Sequence, residues 1–98
     1  MGNCVISSKI TDIKIFVKNE NVPAPSTQDP GNFITTLNIS NWNIPGKNKV
    51  LVSACGIYDR EAYISGGYID DNNIAHLSGC NTHSSTYNVQ TDFRILCW

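Results

Sequence analysis

The closing run, Thr86 to Trp98, constrains this chain most. Tyr87, Val89, Thr91, Phe93, Ile95 and Cys97 fall on one side of an extended chain, with Asn88, Gln90, Asp92 and Arg94 between them. A period of two belongs to a strand buried on one face, and a helix would scatter the same residues around its axis. A run that ends in Phe-Arg-Ile-Leu-Cys-Trp must place those side chains in a sheet or against a partner, because a frayed apolar segment invites aggregation.

The rest of the sequence repeats the pattern. Lys9 to Lys18 alternates Ile13, Ile15 and Val17 with Lys14, Phe16 and Lys18 and reads as a half-exposed strand. Asn19 to Asn32 holds Pro23, Pro25, Pro30 and Gly31, which exclude helix and central strand, so it reads as a loop or inter-subunit arm. Phe33 to Ser40 sets Phe33, Thr35, Leu37 and Ile39 on one face. Asn41 to Asn48 contains the turn signal Pro45-Gly46. Lys49 to Tyr58 is expected to place Val50, Val52 and Ala54 on one face, and Asp59-Arg60-Glu61 forms a charged turn. Ala62 to Gly79 reads as a hairpin about Asp70-Asp71-Asn72-Asn73, residues that tolerate left-handed backbone and bond their own neighbours. Asn81 to Ser85 is polar and loop-like. No segment carries apolar residues at helical spacing through three turns. The expected fold is all-β, a small antiparallel β-sandwich (jelly-roll-like) or barrel of about six to eight strands. Residues 1–32 would supply an N-terminal strand and Pro-rich arm or neck. Residues 33–98 would form the head, the two together making one compact domain.

At 98 residues the chain builds only a thin core; a domain of this size buries roughly 60–65% of its unfolded surface. The net charge of -1 leaves no basic footprint for nucleic acid. Charged residues are 15% of the chain, below the usual quarter or so, and Asn, Ser and Thr supply the polarity instead. Such a surface suits carbohydrate, an extracellular setting, or cover by neighbouring subunits. No run of about 18 apolar residues is present, so membrane insertion is not expected, and no signal-peptide pattern is visible. Met1-Gly2-Asn3-Cys4 approaches a myristoylation motif but has Ile6 where Ser or Thr is wanted. Cys4, Cys55, Cys80 and Cys97 are widely spaced without C-x-x-C and are expected to be mostly reduced and structural, Cys55 and Cys97 as small buried side chains inside β-patterned runs.

Several clusters could carry chemistry. His76, Cys80 and His83 form H-x3-C-x2-H, three possible Zn²⁺ ligands lacking an obvious fourth. The plainer reading is a surface His, a core Cys and a loop His. Asp70 to Asn73 offers oxygens to Ca²⁺ but lacks EF-hand spacing, so a turn is expected. Asp59 and Glu61 are carboxylates two apart with Arg60 between, the pattern of a solvated turn edge. Glycosidase carboxyls need a cleft that so small a chain seldom shapes, and G-x-S-x-G is absent. No catalytic residue and no cofactor is indicated. Asn38-Ile39-Ser40 matches a glycosylation sequon within an expected strand. Trp42, set between Asn41 and Asn43, combines a ring for sugar C–H faces with amides for hydroxyls; it equally suits a core or subunit interface.

From Leu37 onward the order of parts resembles the receptor-binding head of a bacteriophage tail fibre or baseplate. N-I-S-N-W-N-I-P-G leads into K-V-L-V-S; G-G-Y-I-D-D-N-N-I-A-H-L-S-G follows, and T-D-F-R-I-L-C-W closes the chain. The resemblance implies a β-sandwich head, usually a homotrimer, on the virion tail tip, acting outside the cell on a surface glycan or other receptor. It transfers no individual binding residue, and four cysteines are many for a protein assembled in bacterial cytosol. The expected function is non-enzymatic receptor binding through loops at one end of the sandwich, with Trp42, Tyr58, Asp59, Asp71 and Asn72 as ligand-binding candidates. The alternatives are a structural virion protein for capsid decoration or assembly, and a small metal-dependent enzyme using His76, Cys80 and His83.

Overall fold

A computed structural model describes residues 13–27 and 31–98. The myristoylation-like start, Cys4 and the first part of the expected N-terminal strand lie outside the described residues. Six strands form one antiparallel sheet: β1 (Lys14–Ala24), β2 (Asn32–Asn38), β3 (Lys49–Asp59), β4 (Ala62–Ile69), β5 (Ile74–Asn81) and β6 (Tyr87–Cys97). A single turn of 3-10 helix, Ser40–Trp42, lies between β2 and β3. The order across the sheet is β1-β6-β3-β4-β5-β2. All-β, antiparallel and six-stranded, the fold matches the expectation; the strands make one sheet curled into a half-barrel, in which β1 reaches across to touch β2, β4 and β5.

The alternation of the closing run sets the core. Val89, Thr91, Phe93, Ile95 and Cys97 are all buried on the concave face, and β6 lies between β1 and β3. Val22 and Ala24 of β1, Ala54 of β3, Ile64 of β4, Ala75 and Leu77 of β5, Phe33 of β2 and Ile39 complete the cluster. Burying each large apolar side chain contributes roughly 1.5–3 kcal/mol. Alanines at 54, 62 and 75 keep the facing walls close enough to pack on so few large residues.

Bulges produce the curl. Register shifts occur between Leu51 and Ser53 where β3 meets β6, between Ile57 and Asp59 where it meets β4, and between Ile64 and Gly66 where β4 meets β5. An extra residue in one strand bends it and increases its twist. Gly66 accommodates the β4 bulge with φ 153°, a backbone conformation that side-chain-bearing residues rarely adopt. The β3 bulge corrects one expectation. Ala54 is buried, but Val50 and Val52 are half exposed on the convex face, because the inserted residue reverses the alternation between them and Ala54.

The Pro-rich stretch gives a second correction. β1 does not end at Lys18 but runs through Pro23 to Ala24, paired with β6 along its length. Proline is tolerated because β1 is an edge strand: its missing N–H is absent from the side that no strand pairs. Of the cysteines, Cys97 is buried, Cys80 half-buried and Cys55 exposed, and all three are free thiols. Cys55 therefore departs from the buried role expected of it, facing outward opposite Asp92 of β6.

Candidate functional site

The antiparallel order sends the loops to two opposite ends. One end gathers the 3-10 turn, the β4–β5 turn and the last residue; Ile39 N donates to Asn73 O at 2.9 Å and Lys47 N to Trp98 O at 3.0 Å. The other end gathers the β3–β4 turn, the start of β6 and the loop after β5, where Thr82 N donates to Glu61 O at 2.8 Å. The five ligand-binding candidates are split accordingly. Trp42, Asp71 and Asn72 belong to the first end, Tyr58 and Asp59 to the second. They cannot form one surface.

At the first end, Trp42 is half-buried and engaged. Its ring stacks on Phe16 at 6.5 Å, meets Phe93 edge-on at 5.0 Å, and carries Lys18 Nζ at 5.6 Å from its centroid. It closes the core at this end of the half-barrel. Asp70 organises the hairpin turn: Oδ1 accepts from Asn72 N at 2.8 Å and Ile74 N at 3.1 Å, while Oδ2 lies 2.8 Å from His76 Nε2. Tyr68 stacks over the His76 ring at 4.5 Å. Asn73 takes the left-handed conformation expected of the turn, at φ 59°. Asp71 and Asn72 are exposed. The sequon residue Asn38 is exposed too, and its Oδ1 accepts from Ser40 N at 2.9 Å.

The second end is the more developed. Tyr58 is 52% exposed yet held, its ring stacked on Tyr87 at 4.3 Å. His83 packs edge-on against both, at 4.5 Å from Tyr87 and 6.1 Å from Tyr58. His83 Nε2 lies 2.9 Å from Asp59 Oδ2, 3.2 Å from Asp59 Oδ1 and 3.7 Å from Glu61 Oε2. Asp59 Oδ1 also accepts from Glu61 N at 2.8 Å, fixing the turn that presents both acids. Across the same hairpin, Cys55, Ile57, Arg60 and Tyr63 line an open apolar hollow of 470 Å³.

Asn81 underlies this end. It is fully buried, and its Nδ2 donates to Ala24 O at 2.9 Å and Ser85 O at 3.1 Å, while its Oδ1 accepts from His83 N at 2.9 Å. One side chain thus ties the end of β1 to the loop that carries His83. A buried amide is stable only when its donors and acceptors find such partners.

The H-x3-C-x2-H spacing does not converge. His76 and Cys80 face the same way from β5, but His76 pairs with Asp70 near one end of the strand and His83 with Asp59 beyond the other. Among the described residues, one group of three possible metal ligands comes together: Asp59, Glu61 and His83. The sequence displayed Asp59 and Glu61 as a two-apart pair, but their partner lies 24 positions from Asp59 and no spacing rule reaches it. Tyr87 and Asn81 were equally invisible as site residues, because one reads as a strand start and the other as a loop.

No protein-family model matches the chain, and neither a curated protein nor a solved structure matches it. What the two ends can do rests on their own chemistry. Both histidines face carboxylates, and among the described residues neither ring has a serine or cysteine in hydrogen-bond reach to activate as a nucleophile.

Both aspartates couple the fold to acid. The His76 hydrogen bond, with the Ile74 and Asn72 N–H groups, outweighs desolvation and holds the Asp70 carboxyl below its ordinary 3.8. For Asp59, desolvation raises the carboxyl, but the Glu61 N–H and the His83 contact together outweigh it and leave the group lowered from 3.8. A carboxyl depressed by folding adds stability that is complete above its unfolded value and fades as pH falls through its folded one. We expect the melting temperature, followed by circular dichroism, to drop on acidification below about pH 4. In Asp70→Asn the neutral-pH value should be lower and the acid-induced drop smaller; an acid drop as large as in the parent would remove Asp70 from this role.

Proposed function

We propose that the protein is a non-enzymatic binding module that recognises carbohydrate through the end built by Tyr58, Asp59, Tyr87 and His83. The observation that carries this reading is the half-exposed Tyr58 ring, backed by Tyr87 and bordered by His83, which holds the Asp59 and Glu61 carboxylates beside it. A ring held in one orientation offers its face to sugar C–H groups at little entropic cost, and carboxylates accept from neighbouring hydroxyls. The setting is the one the tail-fibre resemblance implies: a homotrimeric head at the tip of a phage tail, acting outside the cell on a surface glycan, with no part in nucleic-acid binding or membrane insertion. Each contact would be shallow, and three linked heads would raise effective affinity by on the order of 10²–10⁴ where their geometry allows simultaneous engagement.

A glycan array probed with the parent protein and with Tyr58→Ala tests this. The parent should bind a restricted set of glycans, and the variant should lose at least about tenfold in affinity, or roughly 1.4 kcal/mol. A silent array, or equal binding by the two proteins, would sink the proposal. Trp42→Ala should leave glycan affinity unchanged once its loss of stability is allowed for, since that ring belongs to the core at the other end.

A second reading, a structural virion protein for capsid decoration or assembly, is favoured by the convex face. Ile15 of β1 lies beside Leu96 of β6, which lies beside Val50 of β3, and Val17 and Val52 extend the stripe. Ile15, Val17, Val50 and Val52 are each half or more exposed. The occupant would be a second copy of this chain. Multi-angle light scattering that returns a trimer dissociated by Val50→Glu would favour assembly through this face, and a stable monomer would exclude it.

A further inference from the structure

We propose that Asp59, Glu61 and His83 form a binding site for a divalent transition-metal ion of the Zn²⁺ class. Donor spacing is the first support. His83 Nε2 stands 2.9 Å from Asp59 Oδ2 and 3.7 Å from Glu61 Oε2. Donors held about 2.0–2.1 Å from a tetrahedral Zn²⁺ sit roughly 3.4 Å from one another, so the observed separations bracket what the ion requires.

Charge is the second. Three carboxylate oxygens, two from Asp59 and one from Glu61, surround a single imidazole nitrogen. A neutral ring has one N–H to offer and satisfies one of them. A dication in that position would neutralise both carboxylates and take the nitrogen lone pair.

The third is how firmly the donors are mounted. The His83 backbone N–H is anchored on buried Asn81, its carbonyl accepts from Ser26 Oγ, and its ring is wedged against Tyr87. Glu61 O accepts from Thr82 N at 2.8 Å and Thr82 Oγ1 at 3.3 Å, which fixes the acid's backbone against the loop carrying the histidine. The Glu61 side chain itself is 64% exposed and free to close on the ion. An imidazole with two carboxylates favours Zn²⁺, Co²⁺ or Ni²⁺ over Ca²⁺. Three protein donors leave a coordination position open toward solvent, where water or a ligand hydroxyl could enter.

The site shares Asp59 with the recognition face proposed above but does not rest on that reading, because the metal is titrated alone. Chelator-treated protein is titrated with ZnCl2 by calorimetry at neutral pH, and the imidazole nitrogens of ¹⁵N-labelled protein are followed in parallel. We expect saturable binding with shifts confined to the His83 ring, in the pattern of coordination at Nε2 with the proton on Nδ1. Glu61→Gln and His83→Gln should each weaken binding by at least ~100-fold, beyond the roughly 10–100-fold of losing a group behind the ligands. Glu61→Gln keeps the backbone contacts of the turn, so its circular dichroism spectrum should match the parent's. His76→Gln should leave the affinity unchanged. The proposal is overturned if His83 Nε2 does not shift, if Glu61→Gln and His83→Gln bind as the parent does, or if Ca²⁺ competes with equal affinity. Glycan binding that persists in chelator would separate the two proposals, keeping the recognition face whatever the metal result.

Discussion

Phe93→Ala is expected to lower the unfolding free energy by about 3–5 kcal/mol, the range for deleting a buried aromatic ring. Phe93 is fully buried at the middle of β6, and Trp42 leans edge-on against it at 5.0 Å. Its neighbours in register are Lys18 on one side and Ala54 on the other. Neither can swing inward to fill the space, since one is a charged side chain at the rim and the other ends at Cβ. The cavity would therefore persist, and Trp42 would lose the wall it rests on. A 98-residue domain has only a few such side chains, and total stabilities are about 5–15 kcal/mol. Urea unfolding followed by tryptophan fluorescence, in a Trp98→Phe background that leaves Trp42 as the reporter, reads both the midpoint and the environment of Trp42. A loss under ~1 kcal/mol would mean that the half-barrel collapses readily around the void and that Phe93 is not its centre.

Gly67→Ala should be comparably damaging, at about 3 kcal/mol or more, the upper end of what overpacking does. An added Cβ at Gly67 would lie 1.8 Å from the His76 carbonyl oxygen and 3.0 Å from Leu77 Cα. Both are backbone atoms of the paired strand β5, and neither can rotate away. Relief requires β4 and β5 to separate, breaking ladder bonds beside Tyr68 and His76. Hydrogen exchange should show the loss concentrated in the β4–β5 hairpin. Gly66→Ala is the informative neighbour: open space surrounds that position, and only its φ of 153° opposes a side chain, so steric overlap and backbone strain can be compared one residue apart.

Much of this fold was legible in the sequence wherever a strand keeps one register throughout. β6 and β2 alternate without interruption, and their buried faces are those the spacing of two requires. The β4–β5 hairpin was legible because Asp70 and Asn73 announce a turn by chemistry. β3 was not. Its inserted residue is an ordinary aliphatic or hydroxyl side chain, and alternation alone cannot say where a count slips by one. Pro23 was misleading because the rule it invokes depends on being at an edge, and sheet order is not written locally. The site failed to show for a related reason. Asp59 and His83 are brought together by a loop folded over β4, while the visible spacing, His76 to His83, spans the two ends of a strand and separates its members.

The strand order also carries a temporal consequence. β3, β4 and β5 are consecutive in the chain and adjacent in the sheet, so they can zip together through short connections. The two rims cannot. β2 must wait for β5, and β1 for β6, whose pairing joins Lys14 to Cys97. Loop closure over such distances is entropically slow to find, and topologies of this kind fold in about milliseconds to seconds. Of these six strands, β1 is synthesised before the others and acquires its hydrogen-bonding partner last. Throughout that interval Ile15, Val17 and Val22 belong to an extended segment with nothing beside it. Lys14 and Lys18 within the strand and Pro23 near its end then act as gatekeepers, discouraging one nascent chain from pairing with another until its own final strand arrives.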